Sequence, residues 1–143
     1  MRRFIFAFSL TAVCAIWAQS PYSEIASIKQ MMASIEGPMN SAIGGMSKAG
    51  GPKDEKEWAQ AQNNAALLAE GAQLLLLGRR PKDQDVWIKS AVALKDSATA
   101  AMKAAEAKDL EAWKTAVGGL GKSCQGCHTL YRKRPTPAPA QAN

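Results

Sequence analysis

Between Trp87 and Tyr131 the apolar residues keep to one spacing. Trp87, Ala91, Leu94, Ala98, Ala101 and Ala105 recur at alternating steps of four and three, and after Lys108-Asp109 the same alternation carries Leu110, Trp113, Val117, Leu120, Cys124, Cys127 and Tyr131. That is the repeat of one face of an α-helix, whereas a half-buried strand needs a repeat of two. No segment sustains Val/Ile/Thr alternation and aromatic residues make up only 6% of the chain, which argues against a β-sandwich or barrel. The chain therefore reads as all-α.

Two further helices are predicted upstream. The first runs from about Tyr22 to Glu36, with Ile25, Ile28, Met32 and Ile35 at steps of three and four. It is expected to be interrupted at Gly37-Pro38, because proline lacks an amide donor and crowds the preceding turn. A short turn from Met39 to Met46 follows, and Gly44-Gly45 and Ala49-Gly50-Gly51-Pro52 read as a loop. The second helix opens at Asp54 with Glu57 three residues on, a variant capping box. It turns Trp58, Ala65, Leu68, Ala72 and Leu75 inward and stops at Gly78. Asp83 is the expected N-cap of the helix that begins near Trp87. Short connections between long amphipathic helices predict an antiparallel, up-down-up-down four-helix bundle.

The ends are different in kind. Met1-Arg2-Arg3 followed by the apolar run Phe4–Ala18 has the layout of a secretory signal peptide. A run of that length falls short of the roughly 20 residues that span a bilayer, so an uncleaved anchor is the weaker reading. The arginine pair alone is a poor twin-arginine signal, and Leu10-Thr11-Ala12-Val13-Cys14 is a poor lipoprotein box. The expected organisation is a signal peptide over 1–18, a helical domain over 19–134 and a disordered Pro/Ala-rich tail over 135–143. Export to the periplasm or beyond is implied, with no stable membrane insertion once the signal is removed. The net charge of +6 is concentrated in Arg2, Arg3, Arg132, Lys133 and Arg134, and no basic stripe marks the middle of the chain. Nucleic acid is not the expected partner.

Cleavage near Ala18 discards Cys14 and leaves Cys124 and Cys127, followed by His128, the single histidine of the chain. Cys124-Gln125-Gly126-Cys127-His128 is C-x-x-C-H, the attachment sequence of c-type haem. Two thiols one helical turn apart can reach the two vinyl groups of a porphyrin and form thioethers, and the next residue carries an imidazole to the iron as its proximal ligand. Gly126 would keep bulk off the ring, and Gly118, Gly119 and Gly121 would let a flat cofactor lie against the backbone. The competing readings are poorer. A closed zinc shell needs four ligands and the mature chain offers three. A thioredoxin-like pair follows a strand at a helix N-terminus, and this pair sits late in a helix. A disulfide between two such close positions on one helix would be strained.

On these residues the chain resembles the class II c-type cytochromes, the cytochrome c-prime group and its low-spin relatives. In them a helical bundle carries one haem near the C-terminus, where ordinary cytochrome c has its motif near the N-terminus. The pattern continues as His128-Thr129-Leu130-Tyr131-Arg132, and Trp58, Asn63-Asn64-Ala65, Leu68-Ala69-Glu70, Leu74-Leu75 and Lys82-Asp83-Gln84-Asp85-Val86-Trp87 fit less specifically. The resemblance implies one covalent haem c held by Cys124, Cys127 and His128, with the first helix on the distal side. Met32 matches the low-spin branch's methionine and is the candidate sixth iron ligand. The bland alternative makes Met32 a flexible core filler, and Met31, about 100° away on an ideal helix, or Met39 would then be the other candidates. The family's first-helix arginine near the haem carboxylates is missing. Lys29 stands in that helix, and Arg79, Arg80 and Arg132 are other partners for those groups. Trp58, Trp87 and Trp113 are expected in the core.

The resemblance thus implies an exported electron carrier, not an enzyme, in which His128 and Met32 ligate iron in both redox states and an acidic redox partner is steered by the positive charge. Homodimer formation through the helices would match several relatives. The alternative is a five-coordinate haem that binds NO or CO in an open distal pocket. A peroxidase-type activity lacks a second histidine or comparable distal base.

Overall fold

The computed structural model describes residues 23–132. The expected signal segment 1–18 and tail 135–143 lie outside the described residues. The described chain is helical, with no strand among those residues. A first rod is built from α1 (Ile28–Met31), a π-helical turn (Met32–Glu36) and α2 (Gly37–Lys48) without a break. Three longer helices follow, α3 (Glu55–Leu74), α4 (Val86–Glu106) and α5 (Leu110–Tyr131).

Capping fixes where these helices begin. The Ser27 hydroxyl accepts from the Gln30 amide while the Gln30 side chain accepts from the Ser27 amide, a reciprocal cap that starts α1. Asp54 accepts from the Glu57 amide at 2.8 Å, and Asp109 from the Ala112 amide at 3.0 Å. Asp83 is not the N-cap of α4, as the sequence suggested; Asp85 holds that position without a side-chain bond. Asp83 still serves the helix end, accepting from the amides of Asp85 and Trp87 with one carboxylate oxygen. Its other oxygen accepts from the Tyr131 hydroxyl.

The first rod departs most from the sequence reading. Gly37-Pro38 does not end it, and Gly44-Gly45 lies within α2 instead of in a loop. Proline in a helix removes one amide donor and pushes its ring at the carbonyl four residues back. Here the turn before it widens, and the Gly37 amide reaches the Met32 carbonyl five residues back. The inserted residue rotates everything upstream by about 100° relative to a straight helix. Buried positions accordingly step by five across the turn, from Met31 to Glu36, and then by seven to Ile43. Ile25, expected inside, precedes the helix and is 92% exposed. α3 also stops earlier than expected, at Leu74, and turns bring the chain to Gly78, whose φ of +62° suits glycine.

The core lies along α4, which packs on α3 and α5, while the first rod packs mainly on α3. All six expected α4 residues from Trp87 to Ala105 are buried. Trp113 and Leu120 are buried on α5, and Val117, Cys124 and Tyr131 pack against the same core from its edge. Ser97 of α4 faces Gly119 of α5 and Ser90 faces Gly126, so contact positions rise along one helix as they fall along the other. Trp58 meets Trp113 edge-on, with ring centroids 6.4 Å apart, and Trp87 meets Tyr131 at 5.2 Å. The Trp87 indole donates to the Leu75 carbonyl at 2.9 Å.

Candidate functional site

Cys124, Cys127 and His128 lie in the last two turns of α5, an unbroken helix that Asp109 starts and Arg132 ends. Both thiols are free and half-buried, and His128 is exposed. Burial raises the Cys124 thiol above its ordinary value, and the nearby Glu36 carboxylate and Cys127 push in the same direction. Burial also raises Cys127, partly offset by a Ser90 hydrogen bond. Redox-active and nucleophilic cysteines need the opposite, a thiolate stabilised by positive charge or a helix N-terminus. These two thiols lie one turn apart on α5, and their burial argues against a nucleophilic or redox-active pair.

The glycines around them do two jobs, and the sequence assigned them one. A side chain on Gly119 would sit 2.6 Å from the Ser97 hydroxyl, and one on Gly126 2.8 Å from the Ser90 hydroxyl. These two glycines serve the close approach of α4 and α5, contrary to the expectation that Gly126 and Gly119 keep clear of a cofactor. Gly118 and Gly121 behave differently. Nothing lies within 4 Å of either missing side chain, and both are exposed, at helical spacing with Gln125 and His128. A bare strip of α5 backbone thus leads to the imidazole.

The π-helical turn packs on α3, and its last residue, Glu36, acts electrostatically on Cys124 of α5. Met31 is 2% exposed and belongs to the core, whereas Met32 is half-buried at its margin. This reverses the inward and outward assignments made from an ideal period, and the extra residue of the π turn is the reason. Glu36 takes the buried position after Met31. It is 6% exposed, neither carboxylate oxygen has a hydrogen-bond partner among the described residues, and burial pushes its pKa up to about 7. Gly71 of α3 makes room for it, since a side chain there would overlap the Glu36 carboxylate and crowd Ile35.

The sequence reading missed Glu36 and Gly71. The available signals were a Gly-Pro inside an otherwise apolar helical run and a glycine at position 71, within the helix predicted to run on to Gly78, where glycine costs about 1 kcal/mol relative to alanine. The donor set fits a covalent haem: two free thiols one turn apart with an imidazole beside them on α5, and near Cys124 a buried Glu36 carboxyl without a partner among the described residues. Among the described residues no cluster of three or more His, Cys, Asp or Glu side chains could hold a bare metal ion, and no helix is long and apolar enough to cross a membrane.

A family model described as Cytochrome C' matches residues 23–132. No curated protein and no solved structure matches the chain.

Proposed function

The chain belongs to the cytochrome c′ family and carries covalently attached haem c, and from that premise we propose that it is an exported electron-transfer protein built as an antiparallel four-helix bundle. The observation that carries this reading is the arrangement on α5, where two free, half-buried thiols and an exposed imidazole occupy consecutive turns of one rigid helix. Cys124 and Cys127 would hold the haem through thioethers, and His128 would be its proximal ligand. Haem c supplies one-electron chemistry when bound, and a sixth ligand that stays in place in both oxidation states keeps reorganisation small.

Met32 is the proposed sixth ligand. It lies on the first rod at the margin of the core, with a flexible thioether that can be presented without opening the core. Met31 is committed to packing. The α3, α4 and α5 side chains fix the frame, and Leu68 and Leu120, both buried, exclude water from its interior. An unidentified redox partner would exchange electrons at an exposed edge of the site, and the signal segment would direct the protein to the periplasm.

A five-coordinate, NO- or CO-binding pocket is the second reading. It is favoured by the fact that Met32 is only half-buried at the core margin, while the neighbouring Met31 is buried in the packing. Absorption spectra of the haem-loaded protein separate the two. Electron transfer predicts a low-spin spectrum in both oxidation states that carbon monoxide leaves unchanged, and Met32→Ala should turn the ferrous form into a carbon monoxide binder. A wild-type protein that is high-spin and binds carbon monoxide assigns the open pocket instead.

A further inference from the structure

The first rod buries a carboxyl that nothing around it satisfies. Glu36 is the one buried acidic side chain among the described residues, and neither of its oxygens has a hydrogen-bond partner there. A buried carboxyl without partners opposes folding as soon as it ionises, so packing gives no reason to keep it. Two features of the backbone nevertheless accommodate it. The π turn steps the buried positions from Met31 to Glu36. Gly71 of α3 leaves open the space the carboxyl fills, where a side chain would overlap Oε1. Desolvated titratable groups held in this way concentrate at functional sites.

The surroundings leave the charge of Glu36 uncompensated. On α3 the residue beside Gly71 is Glu70, which is exposed. Lys29 and Lys48 on the rod itself are exposed, and so are Lys122 and His128 of α5. Arg80, the other buried charge, donates to the Leu74 and Ala26 carbonyls at 3.0 and 3.2 Å, beside a cavity of about 230 Å³ lined also by Met31 and Ile35. It takes part in none of the ion pairs among the described residues. Burial alone accounts for the upward shift of Glu36. The titratable group it acts on is Cys124 of α5, and a Cys124 thioether would not titrate. The charge left for Glu36 to respond to is that of the haem. Ferric iron carries one more positive charge than ferrous, and a protein interior with an effective dielectric of about 20 couples charges across distances that water screens.

We propose that each electron entering the haem site is accompanied by one proton, taken from solvent onto a Glu36 carboxylate oxygen, so that the protein carries electron and proton together. The inference rests on the haem reading of the α5 site and holds with or without Met32 as the sixth ligand. One electron passes from the redox partner to the iron and one proton from water to Glu36, no other bond is made or broken, and reoxidation releases both. The ferric site favours the carboxylate and the ferrous site the acid, so the potential falls as pH rises.

Haem staining of denatured wild-type protein comes first, since absence of covalent haem would sink that reading before this one is reached. In the haem-loaded wild type, the one-electron equilibrium against a mediator of known pH dependence should move about tenfold toward the ferric form between pH 5 and pH 9, 59 mV lower in potential. Glu36→Gln, which imitates the acid, should hold the pH 5 potential of the wild type across that range, and exposed Glu70→Gln should keep the wild-type profile. A flat wild-type profile would overturn the proposal. So would a profile that Glu36→Gln retains, which would place the proton on a haem carboxylate or another group. Should Glu36→Gln fail to fold, infrared spectroscopy of the wild type decides. Its reduced-minus-oxidised difference at pH 7 should gain a carboxylic acid carbonyl band that moves on carbon-13 labelling of glutamate, in protein whose haem is made from unlabelled 5-aminolevulinate. Absence of a band sensitive to that label would overturn the proposal.

Discussion

Glu36 is the residue whose chemistry most exceeds what its place in the sequence announces. A carboxylic acid buried without a partner keeps its proton more tightly in the folded chain than in the unfolded one, and its pKa rises from 4.5 to about 7. The folded state then binds more protons, so stability is full below pH 4.5, declines as pH rises toward 7 and stays low above it. Glu36→Gln should remove that decline and stabilise the protein at pH 8 by on the order of 3 kcal/mol. Urea denaturation at pH 4.5, 6 and 8 checks this, and a wild-type stability that is flat over the interval would contradict it. At this scale the sequence offered Cys124, Cys127 and His128 as the proposed haem site because C-x-x-C-H is local, and the structure sets all three near the end of α5. The sequence concealed Glu36 because the position is buried by the π turn, a backbone adjustment that no side-chain period encodes. The same adjustment exchanged the roles of Met31 and Met32.

At the scale of elements, the last two helices were legible almost residue by residue. Their apolar alternation is unbroken, and Asp109 caps α5 within a short connection. The first rod was legible only in part, since proline was read as a terminator and the chain answered it by widening one turn. The glycines of α5 separate by what faces them. Gly118→Ala, with no protein atom within 4 Å of the new methyl group, should stabilise the haem-free chain by roughly 0.5–1 kcal/mol through helix propensity. Gly119→Ala should cost about 1–3 kcal/mol by overpacking, because Ser97 presents both its hydroxyl and, at 3.2 Å, its Cβ. Thermal unfolding of the two variants, expected to move in opposite directions, tests whether the α4–α5 contact is as close as described.

For the whole molecule, the fold class and family were readable because helical periodicity and a local motif suffice for both. The cavity beside Arg80 was not, because it assembles residues from Ala26 to Arg80 that only tertiary packing brings together. Charge is also a property of this scale. Every Asp and Glu lies between Glu24 and Glu111, while Arg2, Arg3, Arg132, Lys133 and Arg134 at the ends supply most of the positive excess. A body so nearly balanced steers partners weakly. Electron exchange with small anionic and cationic reagents should therefore change by less than about tenfold between 0.01 and 0.15 M ionic strength, where the Debye length falls from about 30 to 8 Å. Stopped-flow rates over that range provide the check, and a steeper dependence would point to a concentrated charged patch.

The half-burial of the two thiols also bears on the order of events during maturation. α4 and α5 are joined by a three-residue connection, and helices paired so locally form quickly. Once they have docked, Cys124 and Cys127 sit in a medium that suppresses their thiolates, and slower thiol chemistry follows. Haem attachment at the proposed thiols would thus compete with folding, and it would proceed most readily while the end of α5 is still open.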